Sequence, residues 1–397
     1  FPTKNLYLTG IGLFVAGLVV CVTAGNFIVM MTGRVLQACG NGILTSMAQV
    51  VLLTIYPIEK KGTIMGWYGL SVGAAPVIAP TLAGALVDSF GWKMIFYVPI
   101  VIMLVSFVFA IVVFDNVLDT YEQKFDILSF VLSGLAFGGL TLGIGNVSSS
   151  SITDVSVFVP LAVGIVAAVF FVYRQLHMEH PFLELRTLKY RDYTLSVVGS
   201  MLLYLVMMGS SIIMPLYVQS IKGYSATLSG LVTLPGSLAM AVVSPFAGKI
   251  YDRLGMKKLF VTGAFFMLIS NLGMAFLTMD MSVWLASFYN AIRCVAIGCL
   301  MMPLVTWGIS GMSEELTAHG TALLTSLRTI AGAIGSAVFV GIMTVAADQG
   351  REKYGQNAQI HGLNITFFAM AAVTFVLFLV AVFLVKGGKT NQQYGGK

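Results

Sequence analysis

The sequence predicts an all-α membrane protein that crosses the bilayer many times, and three observations carry that prediction. Hydrophobic residues make up 58% of the 397-residue chain and charged residues 10%, against about 25% charge in an ordinary soluble domain, and the mean hydropathy is +0.92. A water-soluble globule is excluded by these numbers, and so is a disordered chain, which needs low hydrophobicity and high charge. Apolar runs long enough to cross the hydrocarbon core as helices, about 20 residues each, recur along the chain. The runs do not alternate: 373–384 reads VTFVLFLVAVFL, whereas barrel strands alternate apolar and polar residues.

Twelve such runs lie at approximately 6–24, 27–55, 61–87, 92–114, 127–148, 155–174, 193–220, 225–248, 258–279, 282–309, 318–347 and 362–386. The second carries Arg34 on a stripe with Gln37, Asn41, Thr45 and Ala48, spaced so that they share one helix face. A charge inside the bilayer costs at least a few kcal/mol and survives where it faces protein or water. That face is therefore expected to line a cavity, with Arg34, Gln37 and Asn41 serving gating or proton coupling; locking of helices by Arg34 on backbone carbonyls is the alternative. The third run combines Gly66, Gly69 and Gly73 with Pro76, Pro80 and Gly84. Small residues permit close helix packing and prolines introduce kinks, which suits an element where two bundles meet and rock.

The fifth and sixth runs form a hairpin rich in Gly, Ser, Val and Phe with Asp154 in its turn, bracketed by longer charged loops at 115–126 and 174–192. It reads as a linker pair between two larger bundles. Tyr204, Met208, Asn290, Met301 and Trp307, in the seventh and tenth runs, are candidates for a substrate cavity, since methionine is adaptable and aromatic rings stack on cations; ordinary packing is the alternative for each. The tenth run carries a weaker polar stripe of Asn290, Arg293 and Ile297, and the eleventh carries Arg328. Arg293 and Arg328 join Arg34 as gating or coupling candidates.

Twelve spans assign the loops to two sides. One side holds 15 of the 22 Lys and Arg and the other holds 4, the remaining 3 being Arg34, Arg293 and Arg328. By the positive-inside rule the richer side, with the C-terminal tail 387–397, is cytoplasmic. The net charge of +6 is then a topology signal, and no nucleic-acid partner is expected. Four cysteines in apolar stretches and an isolated His177/His180 pair give neither a disulfide framework nor a metal site. No nucleophile elbow, phosphate-binding loop or zinc-protease signature occurs, so no enzyme is expected.

An internal repeat links the two ends of the chain. Lys4 to Gly10 matches Lys257 to Gly263 at an offset of 253, Arg34 matches Arg293 at 259, and Gly62-Thr63 matches Gly320-Thr321 at 258. On that alignment Arg328 has Leu70 as its partner. The first span then corresponds to the third of the second bundle, and the complete protein is expected to hold fourteen spans, two of them preceding Phe1.

Three motifs carry a resemblance to a known family. Gly248-Lys-Ile-Tyr-Asp252-Arg253-Leu-Gly255-Met-Lys257-Lys258 resembles a cytoplasmic loop signature, Arg34-Val-Leu-Gln37-Ala-Cys-Gly40-Asn-Gly42 a fourth-helix motif, and Ala75-Pro76-Val-Ile-Ala-Pro80-Thr-Leu-Ala-Gly84 a fifth-helix antiporter motif, with Ala79 and Ala83 where glycine is usual. Over essentially its whole length the chain resembles the fourteen-span drug/proton antiporter branch, EmrB/QacA type, of the major facilitator superfamily. The resemblance implies a major facilitator fold: an N-terminal bundle in 1–114 (helices 3–6 of six), a linker hairpin in 115–192, a C-terminal six-helix bundle in 193–386, and the tail. It implies a secondary active multidrug efflux transporter that exchanges hydrophobic or cationic compounds for protons by alternating access. The proton gradient would be its energy source, with no cofactor, and the chain would act as a monomer in a bacterial cell membrane.

In the loop motif, Gly248 and Gly255 permit close approach or unusual dihedrals, Asp252 can cap or pair, and Arg253, Lys257 and Lys258 sit at headgroup level, where they serve either as topology anchors or as a charge latch on the inward gate. The 16 Asp and Glu all fall in loops or at span ends. A proton antiporter needs a group that protonates in alternation with drug binding, and the resemblance places an acidic residue in the first helix of the complete protein. The competing reading, favoured by three intramembrane arginines without acids, is a permease or exporter of an anionic, zwitterionic or lipid-like metabolite.

Overall fold

The structure, a computed structural model, describes residues 2–117, 126–147, 153–179 and 181–386; the side chains of 73–85, 87–88, 226 and 314–315 fall outside the description. The tail 387–397 and most of the loop 115–126 therefore lie outside the described residues. The described chain is helical, as α1 (Thr3–Thr23), α2 (Phe27–Ile55), α3 (Ile58–Phe90), α4 (Met94–Val113), α5 (Ile127–Asn146), α6 (Val155–His177), α7 (Arg191–Leu216), α8 (Ala226–Leu254), α9 (Met256–Met274), α10 (Val283–Ile309), α11 (Glu314–Tyr354) and α12 (Ala358–Leu379). The twelve runs of the sequence become these twelve helices in order. Among the described residues nine helical stretches are long and apolar enough to cross a membrane, and the last of them, Leu316–Leu384, runs through both α11 and α12.

Local chemistry sets the ends. Asn26 accepts a hydrogen bond from the Val29 N–H at 2.9 Å, and Ser225 and Ser282 accept from Leu228 and Trp284, capping α2, α8 and α10. Gly255, at φ 75°, divides α8 from α9, a backbone region that L residues with a Cβ avoid. Pro215 lacks an N–H, and directly after it the helix widens into a π turn, Tyr217–Ile221.

By contacts the chain divides into two units, residues 1–57 with 78–124, and residues 58–77 with 125–397. In the first, α1 packs against α2 and α4 around Leu18, Cys21, Val22 and Phe96. Lys4 Nζ donates to the Ile111 carbonyl at 2.8 Å, and Tyr7 stacks on Phe114 at 4.7 Å, so the start of α1 is tied to the end of α4.

In the second unit α7 packs on α11, α8 and α9 on α10, and α12 on α9 and α11, around a core that includes Leu203, Val206, Phe260, Met267, Leu300 and Phe367. α9 has α10 and α12 as neighbours, as α1 has α2 and α4. Gly10 and Gly263, aligned by the internal repeat, each face a leucine of the next helix, Leu44 and Leu300.

The α5–α6 hairpin closes on itself. Gly139 and Gly164 bring the two backbones together, since a Cβ on Gly164 would stand 2.6 Å from the Leu140 nitrogen. At its foot Arg174 pairs with Asp126 at 3.0 Å. Ser129 Oγ donates to Asp126 Oδ2 at 2.6 Å and accepts from Gln175 Nε2 at 2.7 Å and Arg174 Nε at 3.1 Å. The Ser129 hydroxyl, foremost, and the Arg174 guanidinium hold the Asp126 carboxyl below its ordinary pKa against a partial desolvation. α5 lies along α11.

Candidate functional site

The motif 248–258 is not one loop. α8 continues through it to Leu254, so Gly248, Asp252 and Arg253 sit on the last two turns of the helix, and the turn is made at Gly255. The expected close approach and unusual dihedral thus fall on different glycines. Gly248 lies so near the first turns of α3 that a Cβ would collide with the Gly62 carbonyl oxygen, and one turn away a Cβ on Gly66 would stand 2.8 Å from the Ser244 carbonyl oxygen. Gly69 continues the same seam, where a Cβ would collide with Ser244 Oγ. A row of small residues on α3 therefore brings two backbones into contact.

That contact aims Asp252 at α3. Its Oδ1 accepts from the Gly62 N–H at 2.9 Å, and its Oδ2 accepts from the Thr63 N–H at 2.7 Å and the Thr63 hydroxyl at 2.5 Å. Three donors on one half-buried carboxylate make a clasp that is charge-assisted throughout and is set against the second turn of α3. Arg253 and Lys258 are exposed and Lys257 half-buried. In the sequence Gly62 and Thr63 stand out only as a match within the repeat. Their role as partners of a residue 189 or 190 positions away has no local signal beyond a Gly-Thr pair near a helix start.

The three intramembrane arginines have different surroundings. Arg34, on α2, is exposed; its Nη1 donates to Gln37 Oε1 at 3.1 Å, Gln37 Nε2 reaches Cys21 Sγ at 3.3 Å, and Phe96 lies 5.8 Å below the guanidinium. The stripe continues with Thr45 donating to Asn41, both on the accessible side of the helix. Arg293, on α10, is 2% exposed, donates to Asn290 Oδ1 at 2.5 Å, and stands 6.0 Å from the Phe367 ring. Arg328, on α11, is 4% exposed and lies 4.8 Å from the Tyr204 ring of α7. On both buried arginines Nε and Nη1 find no hydrogen-bond partner among the described residues. Ring faces at these distances return about 2 kcal/mol when desolvated, less than the several kcal/mol that burying an unpaired ion costs.

Of the cavity candidates, Tyr204, Met208 and Met301 are half-buried. Asn290 is taken up by Arg293, and Trp307, at 4% exposure, belongs to the core of the second unit. Tyr204 and Met208 meet Arg328 and Gly332 on the α7–α11 seam, while Met301 and Trp307 lie on α10. Gly73, Pro76, Pro80 and Gly84 lie outside the described side chains. A cavity of about 500 Å³ opens elsewhere, between the ends of α7, α11 and α12, lined by Leu216, Ser220, Met343, Asp348, Arg351 and Gln359. No group of His, Cys, Asp and Glu able to hold a metal occurs among the described residues.

The Major Facilitator Superfamily family model matches residues 1–336. The chain is 34% identical over 394 residues, 99% of its length and 83% of the relative's, to the uncharacterized MFS-type transporter YcnB of Bacillus subtilis (strain 168). It is 33% identical over 343 residues, 85% of its length and 70% of the relative's, to the lincomycin resistance protein LmrB of the same organism. It is 24% identical over 390 residues, 97% of its length and 83% of the relative's, to the riboflavin transporter RibZ of Clostridioides difficile (strain 630). The crystal structure of the human organic anion transporter MFSD10 shares the fold, with a TM-score of 0.66 at 13% identity over 96% of this chain and 77% of that one.

Proposed function

Because this chain belongs to the major facilitator superfamily, we propose that it is a secondary active exporter of hydrophobic or cationic small molecules, a transport protein rather than an enzyme, driven by proton exchange. The observation that carries the reading is the Asp252 clasp. It sits in the motif that resembles the superfamily's cytoplasmic loop signature and joins the end of α8 to the start of α3 by contacts that exist only while the two helix ends are together. Such a contact biases an equilibrium between two arrangements by the free energy of the bonds it gains or loses. Cargo export follows if one arrangement opens the binding surface to the cytoplasm and the other to the outside, with a proton taken in on the return.

The export direction and the drug class are supported by the relatives whose names record resistance to lincomycin. Half-buried Tyr204, Met208 and Met301 offer an adaptable apolar surface to such cargo. The fourteen-span type rests on the repeat offset and the fifth-helix motif. The further parts of the reading are a monomer, a cytoplasmic C-terminus, a bacterial cell membrane, no bound cofactor, and roles for Arg34 and Arg293 in gating.

The test uses everted vesicles from cells producing the protein, with an acidified lumen and a pH-sensitive dye. Addition of lipophilic cations or neutral hydrophobic drugs is expected to discharge the gradient, and Arg34→Ala to abolish the response. A gradient untouched by both compound classes overturns drug/proton exchange.

A further inference from the structure

α7 and α11 run side by side in the same direction, from Tyr193, whose hydroxyl donates to the Gly320 carbonyl at 2.8 Å, to Gly209, which faces Phe339. Between these contacts, Ser200 and Tyr204 share one face of α7, and Thr325 and Arg328 share one face of α11. Four polar atoms in this stretch have no hydrogen-bond partner among the described residues: Ser200 Oγ, Thr325 Oγ1, and Arg328 Nε and Nη1. Buried polar groups are almost always paired, so a cluster of four in one seam calls for a ligand.

The sign of that ligand follows from the charges. Arg328 is 96% buried and makes no ion pair among the described residues, while the Tyr204 ring, 4.8 Å away, covers one side of its guanidinium. An in-plane acceptor can still reach the guanidinium edge, and the unpartnered hydroxyls of Thr325, three residues before Arg328 on α11, and Ser200, four residues before Tyr204 on α7, are donors available to the same ligand. Gly332, one turn beyond Arg328, keeps Met208 beside this edge, where a Cβ would stand 2.8 Å from Met208 Cγ. Tyr204, Met208 and Thr325 are half-buried, so the seam reaches an accessible surface.

The geometry points to a monoanion subsite on the α7–α11 seam, in which Arg328, Thr325 and Ser200 bind one singly charged group and Tyr204 and Met208 receive an apolar or aromatic body attached to it. The charge comes either from a carboxylate on an amphiphilic cargo or from a free inorganic anion. The inference rests on the transporter reading only in taking the organic ligand for cargo, and it adds anionic amphiphiles to the hydrophobic compounds of that reading while standing against a cation at this seam. Binding is therefore measured without a gradient, so that failed transport and a failed subsite are separate results.

Purified protein in detergent is titrated with benzoate, with its neutral isostere benzamide, and with chloride, following thermal unfolding and equilibrium dialysis of radiolabelled benzoate. Benzoate is expected to bind and raise Tm, benzamide to do neither, and Arg328→Gln to weaken benzoate by about tenfold or more, with Arg328→Lys intermediate. If chloride displaces benzoate at equal concentration and matches its Arg328-dependent shift, the subsite holds and its occupant is the free anion. Should Arg328→Gln fail to fold, Thr325→Val is the second variant, expected to weaken benzoate roughly threefold. Equal binding of benzoate and benzamide, or benzoate affinity unchanged in the variant that folds, overturns the subsite.

Discussion

Replacing Asp252 by asparagine tests the clasp with the smallest change of shape. The Oδ1 acceptor for the Gly62 N–H survives, but Oδ2 becomes an amide nitrogen that faces the Thr63 N–H donor to donor, so that bond is lost, and the Thr63 hydroxyl keeps a bond only by turning to accept; the two bonds that remain are no longer charge-assisted. A hydrogen bond to a charged group is worth about 1.5–3 kcal/mol. Asp252 is half-buried, so water replaces part of this, and a net loss of roughly 2–3 kcal/mol remains. At 1.4 kcal/mol per tenfold, that shifts the balance between clasped and open arrangements by about 30- to 150-fold. The assay pairs initial transport rates in vesicles with unfolding temperatures in detergent for Asp252→Asn, Thr63→Val and the double variant. Transport should fall at least about tenfold in Asp252→Asn, and Thr63→Val should cost less in that background than in the wild type, because the charged acceptor of its hydroxyl is already gone. Wild-type transport by Asp252→Asn, or fully additive effects of the two changes, refutes the clasp.

Other parts of the molecule yield sharp expectations. Asn290→Ala strips Arg293 of its side-chain acceptor and leaves a further buried N–H unpaired, so it should lower stability by about 1.5–3 kcal/mol, read as a fall in Tm that Asn290→Asp does not share. Gly335→Ala drives a methyl into the Leu205 carbonyl on the α7–α11 seam, whereas Gly230 has open space around it; the first should destabilise by about 1–3 kcal/mol and Gly230→Ala should leave Tm unchanged or raised, as thermal unfolding of both variants will tell. For Asp126 the folded pKa lies below the ordinary value of 3.8. Its contribution is therefore complete above that value and is lost as pH falls through the depressed one. The Tm advantage of wild type over Asp126→Asn should persist at pH 6 and vanish on acidification well below 3.8.

The helices were legible because twenty apolar residues in a row have few alternatives in a bilayer, and the α2 and α10 boundaries agree with the runs 27–55 and 282–309 almost to the residue. Ends set by polar residues were less legible: α8 carries the motif of Asp252 on its own last turns, since nothing before Gly255 stops a helix. Arg34, Arg293 and Arg328 look alike in sequence, each a lone charge in an apolar run. The structure separates them by exposure and by their own helix: Arg34 is exposed with Gln37 one turn on, Arg293 is buried with Asn290 one turn back, and Arg328 is buried with only a ring of α7 against it, while Arg34 and Arg293 have a ring from another helix as well. Partners on the same helix follow from a spacing of three. Tyr204 beneath Arg328, and Thr63 opposite Asp252, are pairings between helices far apart in the chain, and period alone carries no sign of them.

The polar knot at the foot of the α5–α6 hairpin has a consequence for how the protein is made. Asp126, Ser129, Arg174 and Gln175, with the Leu183 N–H that Gln175 accepts at 3.0 Å, all belong to one stretch of chain, and the glycine contact between the two helices needs no outside partner. The hairpin can therefore reach its final internal packing while the ribosome is still translating α7. None of these contacts waits for the six later helices, so the pair can form before they are made.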